Sequence, residues 1–237
     1  MKLAVLSDIH GNSYALKEVL RAAEIEGVEE LIILGDFTGY YYHTHQVLDL
    51  LSDWRCTSIK GNHDEMLEGI FKGSVGADTI RLKYGSGHKF ALQDLSPAQL
   101  NFLFELPDKL SYTVDGIRLS LNHGSPWDKG LYIYPNADSE VMKKCDDPEY
   151  DFVLIGHSHY PFIHKNQYST LVNPGSVGQS RLEGGYANWA VIDTKIKSVE
   201  LKETKYNISE LISEIAINDP DIPYLREILL RRSEKKV

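Results

Sequence analysis

Short apolar runs alternate with amphipathic stretches along the first quarter of the chain. Leu3–Leu6 is an apolar run that reads as a strand and ends at Ser7 and Asp8. From about Ser13, the residues Ala15, Leu16, Val19, Leu20 and Ala23 fall on one face of a helix. Asn12 or Ser13 can cap its start. A second apolar run, Leu31–Leu34, ends at Gly35-Asp36. A helix over Gln46–Leu51 and a third strand over Thr57–Ile59, ending at Gly61-Asn62-His63, complete the series. Strand, helix, strand, helix, strand predicts an α/β core with parallel strands.

The middle of the chain is more helical. Ser96-Pro97 opens a helix that runs to about Leu106 and stops at Pro107. Leu110, Tyr112 and Val114 alternate up to Asp115-Gly116, and Ile117, Leu119 and Leu121 alternate away from it, which predicts a β-hairpin. Phe152–Ile155 reads as another buried strand. Phe162–Lys165, Thr170–Val172, Trp189–Asp193 and Ser198–Lys202 read as a run of short antiparallel strands. Helices near Ile208–Ile215 and Tyr224–Leu230 follow, and the basic tail Arg231-Arg232-Ser233-Glu234-Lys235-Lys236 reads as a solvated helix end. No repeat, low-complexity stretch or linker interrupts the pattern, so a single domain over residues 1–237 is expected.

Composition narrows the classes. With 25 Lys+Arg against 34 Asp+Glu the formal charge is −9, which disfavours general binding to nucleic acid. A phosphate-bearing substrate stays open, because bound cations would reverse the local field. Cys56 and Cys145 lie far apart and outside any paired motif, as expected of two buried thiols in a reducing cytoplasm. The N-terminus reaches Asp8 and His10 too early for a secretory signal, and no apolar run is long enough to span a bilayer. A soluble, cytoplasmic protein without a membrane partner is the expectation.

Five times a short strand ends in a polar cluster: Asp8-Ile9-His10, Gly35-Asp36, Gly61-Asn62-His63-Asp64, Asn122-His123-Gly124 and Gly156-His157-Ser158-His159. Sites in open α/β sheets form beyond the carboxyl ends of the strands, so parallel packing would gather all five at one rim. Imidazole and carboxylate ligands without thiolate suit Zn, Fe or Mn. In extended segments, residues two apart project to the same side, so Asp8/His10 and His157/His159 could each offer two ligands to one cavity. Asp8, His10, Asp36, Asn62, His123, His157 and His159 are too many ligands for one tetrahedral ion. They suit two ions bridged by a carboxylate, about 3.5–4 Å apart.

These clusters resemble the five-motif signature of the calcineurin-like metallophosphoesterase superfamily: D-x-H, G-D, G-N-H-[D/E], H and G-H-x-H. All five occur in order between Asp8 and His159. The small phosphodiesterase-like branch adds D-x-H-G-N and N-P-G-S, present here as Asp8-Ile9-His10-Gly11-Asn12 and Asn173-Pro174-Gly175-Ser176, so the resemblance covers roughly residues 1–193. It implies an α/β fold of two mixed β-sheets packed face to face, with helices on the outer faces. It also implies one ion on Asp8, His10 and His159, another on Asn62, His123 and His157, and Asp36 as the bridge. Manganese comes first as the metal, with Fe, Zn or Ni as other occupants. His63 corresponds to the histidine that protonates the leaving-group oxygen. The implied reaction is attack of a hydroxide, held between two divalent ions, on a phosphodiester or nucleotide-type phosphate.

One departure bears on the substrate. The Ser/Thr protein phosphatase branch continues its second motif as G-D-x-x-D-R-G, with an Asp that orients the catalytic histidine and an Arg that clamps phosphate. Here the run is Gly35-Asp36-Phe37-Thr38-Gly39-Tyr40-Tyr41, and both groups are missing. A phosphomonoesterase or protein phosphatase is therefore the second reading. A non-catalytic scaffold is the third, because the superfamily includes a retromer subunit used as an interaction platform; such a protein has no reason to keep His63 and seven ligands. Arg181, whose guanidinium fork suits phosphate, Tyr40 and Asn12 are the candidates for substrate binding. Tyr41 and Tyr42 fit packing equally well. His43, His45, His88 and His164 lie outside the motifs and read as ordinary surface or core histidines.

Overall fold

In the computed structural model, which describes residues 1–232, the first strand sets the pattern of the core. Along β1 (Lys2–Leu6), Leu3 and Val5 enter one hydrophobic cluster while Ala4 and Leu6 enter another. That is the two-residue period of a strand with both faces covered. β1 runs parallel to β2 (Glu30–Ile33), and β2 parallel to β3 (Cys56–Ser58). Further on, β4 (Lys109–Val114) and β5 (Ile117–Asn122) form the expected hairpin, whose turn residues Asp115 and Gly116 have φ of 49° and 74°. Positive φ at both central positions is the twist-matched turn that Asp-Gly favours.

β6 (Phe152–Leu154), β7 (Phe162–Lys165), β8 (Thr170–Asn173), β9 (Tyr186–Asp193) and β10 (Ser198–Lys205) complete two mixed five-stranded sheets. Their orders are β10-β9-β1-β2-β3 and β4-β5-β6-β8-β7. The faces that meet carry Leu3, Val5 and Ile32 from the first sheet and Leu119, Leu121, Leu154 and Val172 from the second. Helices cover the outer faces. α1 (Ser13–Glu26) and α2 (Thr44–Leu51) pack Leu16, Val19 and Val47 against Ala4, Leu6 and Ile33. On the far side, Met142 of a short helix packs against Val153 and Leu171.

The four late strands differ from the expected antiparallel run. β8 pairs antiparallel with β7 but parallel with β6, while β9 crosses to the other sheet and pairs antiparallel with β1. The chain changes sheets through Asn173-Pro174-Gly175-Ser176, because Ser176 is tied back to the first sheet by its hydroxyl on the Asp8 carbonyl, 2.7 Å away. Between β3 and β4 the chain forms α3 (Asn62–Phe71), α4 (Ala77–Tyr84), α5 (Gly87–Asp94) and α6 (Pro97–Glu105), of which only α6 is evident from its caps. The remaining helices are α7 (Ser139–Lys144), α8 (Ser209–Asn218) and α9 (Pro223–Leu230). Of the basic tail, Ser233 to Lys236 lie outside the described residues. Among the described residues no helix is long and apolar enough to cross a membrane.

Candidate metal centre

The segments following β1, β2, β3, β5 and β6 converge at one end of the two sheets, and they carry all five clusters. The ligands do not arrive on extended backbone, as the spacing of two suggests. Asp8, His10, Asp36, His157 and His159 all have φ between 51° and 62°. Left-handed backbone at five non-glycine residues costs energy that the surrounding structure must supply, and such residues gather at functional sites. His159 joins Asp8 and His10 in one buried group, whereas His157 joins Asp36 and His123 in a second. Within each group the ligand atoms lie within 4.8 Å of one another.

Each imidazole is aimed by a backbone carbonyl. The Nδ1 atoms of His10, His123 and His159 lie 2.9, 2.7 and 2.9 Å from the carbonyls of Thr38, Leu34 and Gln179. A carbonyl can only accept, so each Nδ1 carries a proton, and in His10 and His159 Nε2 then presents a lone pair to the centre. His157 is reversed: its Nε2 donates to the Gly130 carbonyl at 3.3 Å, leaving Nδ1 for the centre. Asp8 Oδ2 accepts from Ser7 Oγ at 2.6 Å and from the His157 amide at 3.0 Å, while Oδ1 is buried without a hydrogen-bond partner. Asp36 Oδ1 accepts from the His63 amide at 2.8 Å, and Oδ2 lies 3.4 and 3.8 Å from Nε2 of His123 and His10.

This donor set fits divalent cations. His10 Nε2 and His159 Nε2 approach to 3.1 Å, both with lone pairs forward, and Asp8 Oδ1 faces the same space. Two lone pairs and an unpartnered carboxylate oxygen at that distance repel unless positive charge lies among them. The second group tells the same story through its protonation. Burial alone would push His123 down, but Asp36 and Asp8 outweigh it and raise His123 to about 9. The proton on His123 Nε2 points at Asn62 Oδ1, 2.9 Å away, and stands where an ion would bind in exchange. Burial opposes ionisation of Asp8 and Asp36, yet the neighbouring histidines, led by His159 and His123 respectively, hold both carboxyls below the usual range.

Asp64 and Asn173, neither a ligand, lock the turns together. The Asp64 carboxylate accepts from the amides of Gly61, Asp36 and Thr38 at 3.0, 2.8 and 3.2 Å, tying the second and third motifs. Burial, and then the charge of Asp36, raises Asp64 to about 7. Asn173 Nδ2 donates to the Gly156 carbonyl at 2.8 Å and to Ser158 Oγ at 3.0 Å, which fixes the turn bearing His157 and His159.

His63 sits beside both groups in an aromatic cage. Its ring meets Tyr84 edge-on at 4.6 Å and Tyr40 at 4.9 Å, and it lies nearly parallel to His88 at 5.3 Å. The His63 carbonyl accepts from Thr38 Oγ1 and is held by His88 Nε2, each at 3.1 Å. His63 Nδ1 is buried with no hydrogen-bond partner. Gly39, three residues after Asp36, has φ +102°, and a Cβ there would come within 2.3 Å of that Nδ1. No side chain fits between, so His63 is oriented by ring packing and its own backbone instead of by a carboxylate. Burial, despite Asp36, holds His63 well below the ordinary histidine value. His88 and Tyr84 come from α5 and α4, and no local spacing in the sequence marks them.

Of the three candidates for substrate binding, Tyr40 is buried with its ring edge on His10 at 4.6 Å, forming a wall of the centre. Arg181 places its guanidinium over the Tyr224 ring at 5.6 Å, with Nε buried and unpartnered, and its charge reaches Tyr40 and Tyr132. Asn12 is elsewhere engaged. Its Oδ1 accepts from the Ala15 amide as the α1 cap, and its Nδ2 donates to the Gly178 carbonyl and Tyr206 hydroxyl at 2.9 and 3.2 Å. Both amide atoms are thus engaged inside the core, where Asn12 positions the turn. Replacing Asn12 with Ala should therefore destabilise by about 2–4 kcal/mol, from a lost cap and stranded buried partners. Denaturant titration measures that loss, and KM of the protein that remains folded should be unchanged.

Residues 1–197 match the model of the calcineurin-like phosphoesterase superfamily domain. An uncharacterised protein of Methanocaldococcus jannaschii is 28% identical over 239 residues, covering 91% of this chain and 92% of its own. The crystal structure of a hypothetical protein from Pyrococcus horikoshii superposes with a TM-score of 0.82 at 22% identity, over 97% of this chain and 98% of that one. A metallophosphoesterase from Sphaerobacter thermophilus gives 0.77 at 23% identity, over the same shares of the two chains. Both solved structures share the fold.

Proposed function

The chain belongs to the calcineurin-like phosphoesterase superfamily, and on that premise we propose that it hydrolyses a phosphodiester or nucleotide-type phosphate bond with two divalent ions, manganese first among them. The observation that carries this reading is the pair of buried ligand groups, Asp8/His10/His159 and Asp36/His123/His157, set side by side. Asp36 also lies within reach of His10 and so would bridge two ions, and Asn62 would complete the second group through Oδ1. Bound there, two ions would supply the charge and the lowered water pKa that phosphate-ester hydrolysis at neutral pH needs.

The chain's own groups do the rest. Tyr40, Tyr84 and Tyr224 wall the centre with aromatic surface, and Arg181 brings a cation against it. A diester carries one negative charge and two organic substituents, which suits such walls better than the doubly charged monoester. His63, next to ligand Asn62 yet turned toward the cage, is the group placed to protonate the departing oxygen. Burial keeps it neutral in the free site, and the negative charge of an arriving phosphate favours its protonation. Both sheets contribute ligands to one centre, so we treat residues 1–237 as one catalytic domain. Cys56 and Cys145 are free thiols, in keeping with a reducing cytoplasm.

The test is a panel on Mn²⁺-loaded protein: bis(p-nitrophenyl) phosphate, p-nitrophenyl phosphate and a phosphopeptide. Preference for the diester is expected. Exclusive turnover of the phosphopeptide would mark a protein phosphatase, and no turnover with both ions bound would mark a scaffold. In the same assay Arg181→Lys should raise KM about tenfold with kcat little changed, because lysine keeps the charge and loses the fork. Unaltered kinetics would remove Arg181 from the site.

A further inference from the structure

The rim of the metal centre carries exposed aromatic surface that neither the fold nor the hydrolytic chemistry requires. In the loop between β5 and α7, Ile133 is 1% exposed and anchors in the cluster beneath the second sheet, whereas its neighbours Tyr132 and Tyr134 are 48% and 42% exposed. The anchor holds their rings within 10° of parallel, with centroids 6.0 Å apart. Tyr132 in turn lies on the ring of ligand His157, at 3.9 Å and 21°. On the other side Tyr134 meets Tyr160, the residue after ligand His159, edge to face at 5.8 Å and 67°, so the two rings form two walls of a corner. The series His157, Tyr132, Tyr134, Tyr160 thus leads outward from the metal ligands. It ends in a cavity of about 380 Å³ lined by Tyr134, Pro135, Asn136 and Tyr160.

Single exposed aromatics are ordinary on protein surfaces, but a contiguous, pre-ordered set abutting the ligands marks a binding face. Its chemistry fits a nucleobase. Flat π-faces are what a base stacks on, with little dependence on which base it is. The Asn136 carboxamide offers both a donor and an acceptor to a base edge. Arg181 holds its guanidinium over the Tyr224 ring, 5.6 Å away, and supplies a cation for the phosphate. We propose that Tyr134 and Tyr160 form a base-stacking subsite, so that the substrate is a nucleoside phosphate whose base lies on this platform while its phosphate sits at the metal centre. This inference rests on the hydrolase reading above and names its substrate class.

Calorimetric titration of the Mn²⁺-loaded protein with AMP and with ribose 5-phosphate tests it, since the second keeps the sugar phosphate and carries a hydroxyl where AMP carries the base. AMP should bind roughly 10-fold to 100-fold more tightly, the range expected of one stacked base. Tyr134→Ala should erase that ratio, and Tyr134→Phe, which keeps the ring, should restore it; thermal melts confirm that both variants are folded. Equal affinities for the two ligands, or a ratio that survives Tyr134→Ala, overturns the platform. Assaying glycerophosphoethanolamine, a base-free diester, separates the two levels. Its hydrolysis without any base preference in binding retires the platform alone. A base preference in a protein that hydrolyses no phosphate ester supports the platform and retires the hydrolase reading.

Discussion

Asp36→Asn should fold and bind neither ion well. The carboxylate reaches both ligand sets: Oδ2 is 3.4 Å from His123 Nε2 and 3.8 Å from His10 Nε2, while Oδ1 anchors the His63 amide. An amide can keep the bond to His63 through its oxygen, but the NH₂ then points donors at the place where cations need lone pairs. Its neutrality also leaves the surrounding imidazoles uncompensated. Elemental analysis after Mn²⁺ loading should fall from about two ions per chain to less than one. Turnover of a diester should drop by at least about 10²–10³, the loss typical of removing one group that stabilises developing charge. Melting separates this from unfolding. Added Mn²⁺ should raise the Tm of the wild type, because it binds only the folded state, and should leave the variant nearly unmoved. A variant that still holds two ions would defeat the bridging role.

The candidate metal ligands are legible in the sequence because they sit where a short apolar run stops, and a strand end is a local signal. A spacing of two puts side chains on one side only if the backbone is extended, and Asp8, His10, His157 and His159 instead occupy left-handed turns. Those turns are held by distant partners: Ser176 grips the Asp8 carbonyl, Asn173 grips Gly156, and Asp64 grips the Asp36 amide. Contacts across such separations leave no periodicity to read. The same holds for the sheet change at Asn173-Pro174-Gly175-Ser176, since β7–β8 and β9–β10 are both genuine hairpin-like pairs and only their tertiary partners differ. His88 carries no local signal in the sequence. It stands alone in sequence, and its role lies in a ring contact with a residue 25 positions away.

His63→Ala should separate catalysis from metal binding. The imidazole is 4% exposed and touches His10 ring to ring at 4.8 Å; its ring nitrogen also comes within 4.8 Å of ligand atoms of His10 and Asp36, but the two proposed ligand groups each have three other members. Its backbone amide, which holds Asp36 Oδ1, survives the substitution. Metal content should therefore remain at the wild-type value. If the ring protonates the leaving oxygen, the loss depends on how much that oxygen needs a proton. A p-nitrophenolate ester should lose little, because the anion departs unaided. An ester with an alkoxide-like leaving group should lose on the order of 10²–10⁴ in kcat, the usual contribution of a placed acid. A merely packing histidine predicts another pattern: the cage of Tyr40, Tyr84 and His88 would slacken around His10, metal affinity would fall, and both substrates would slow together. Parallel measurement of metal content and of the two kcat values decides, and equal losses accompanied by lost metal would return His63 to a structural role.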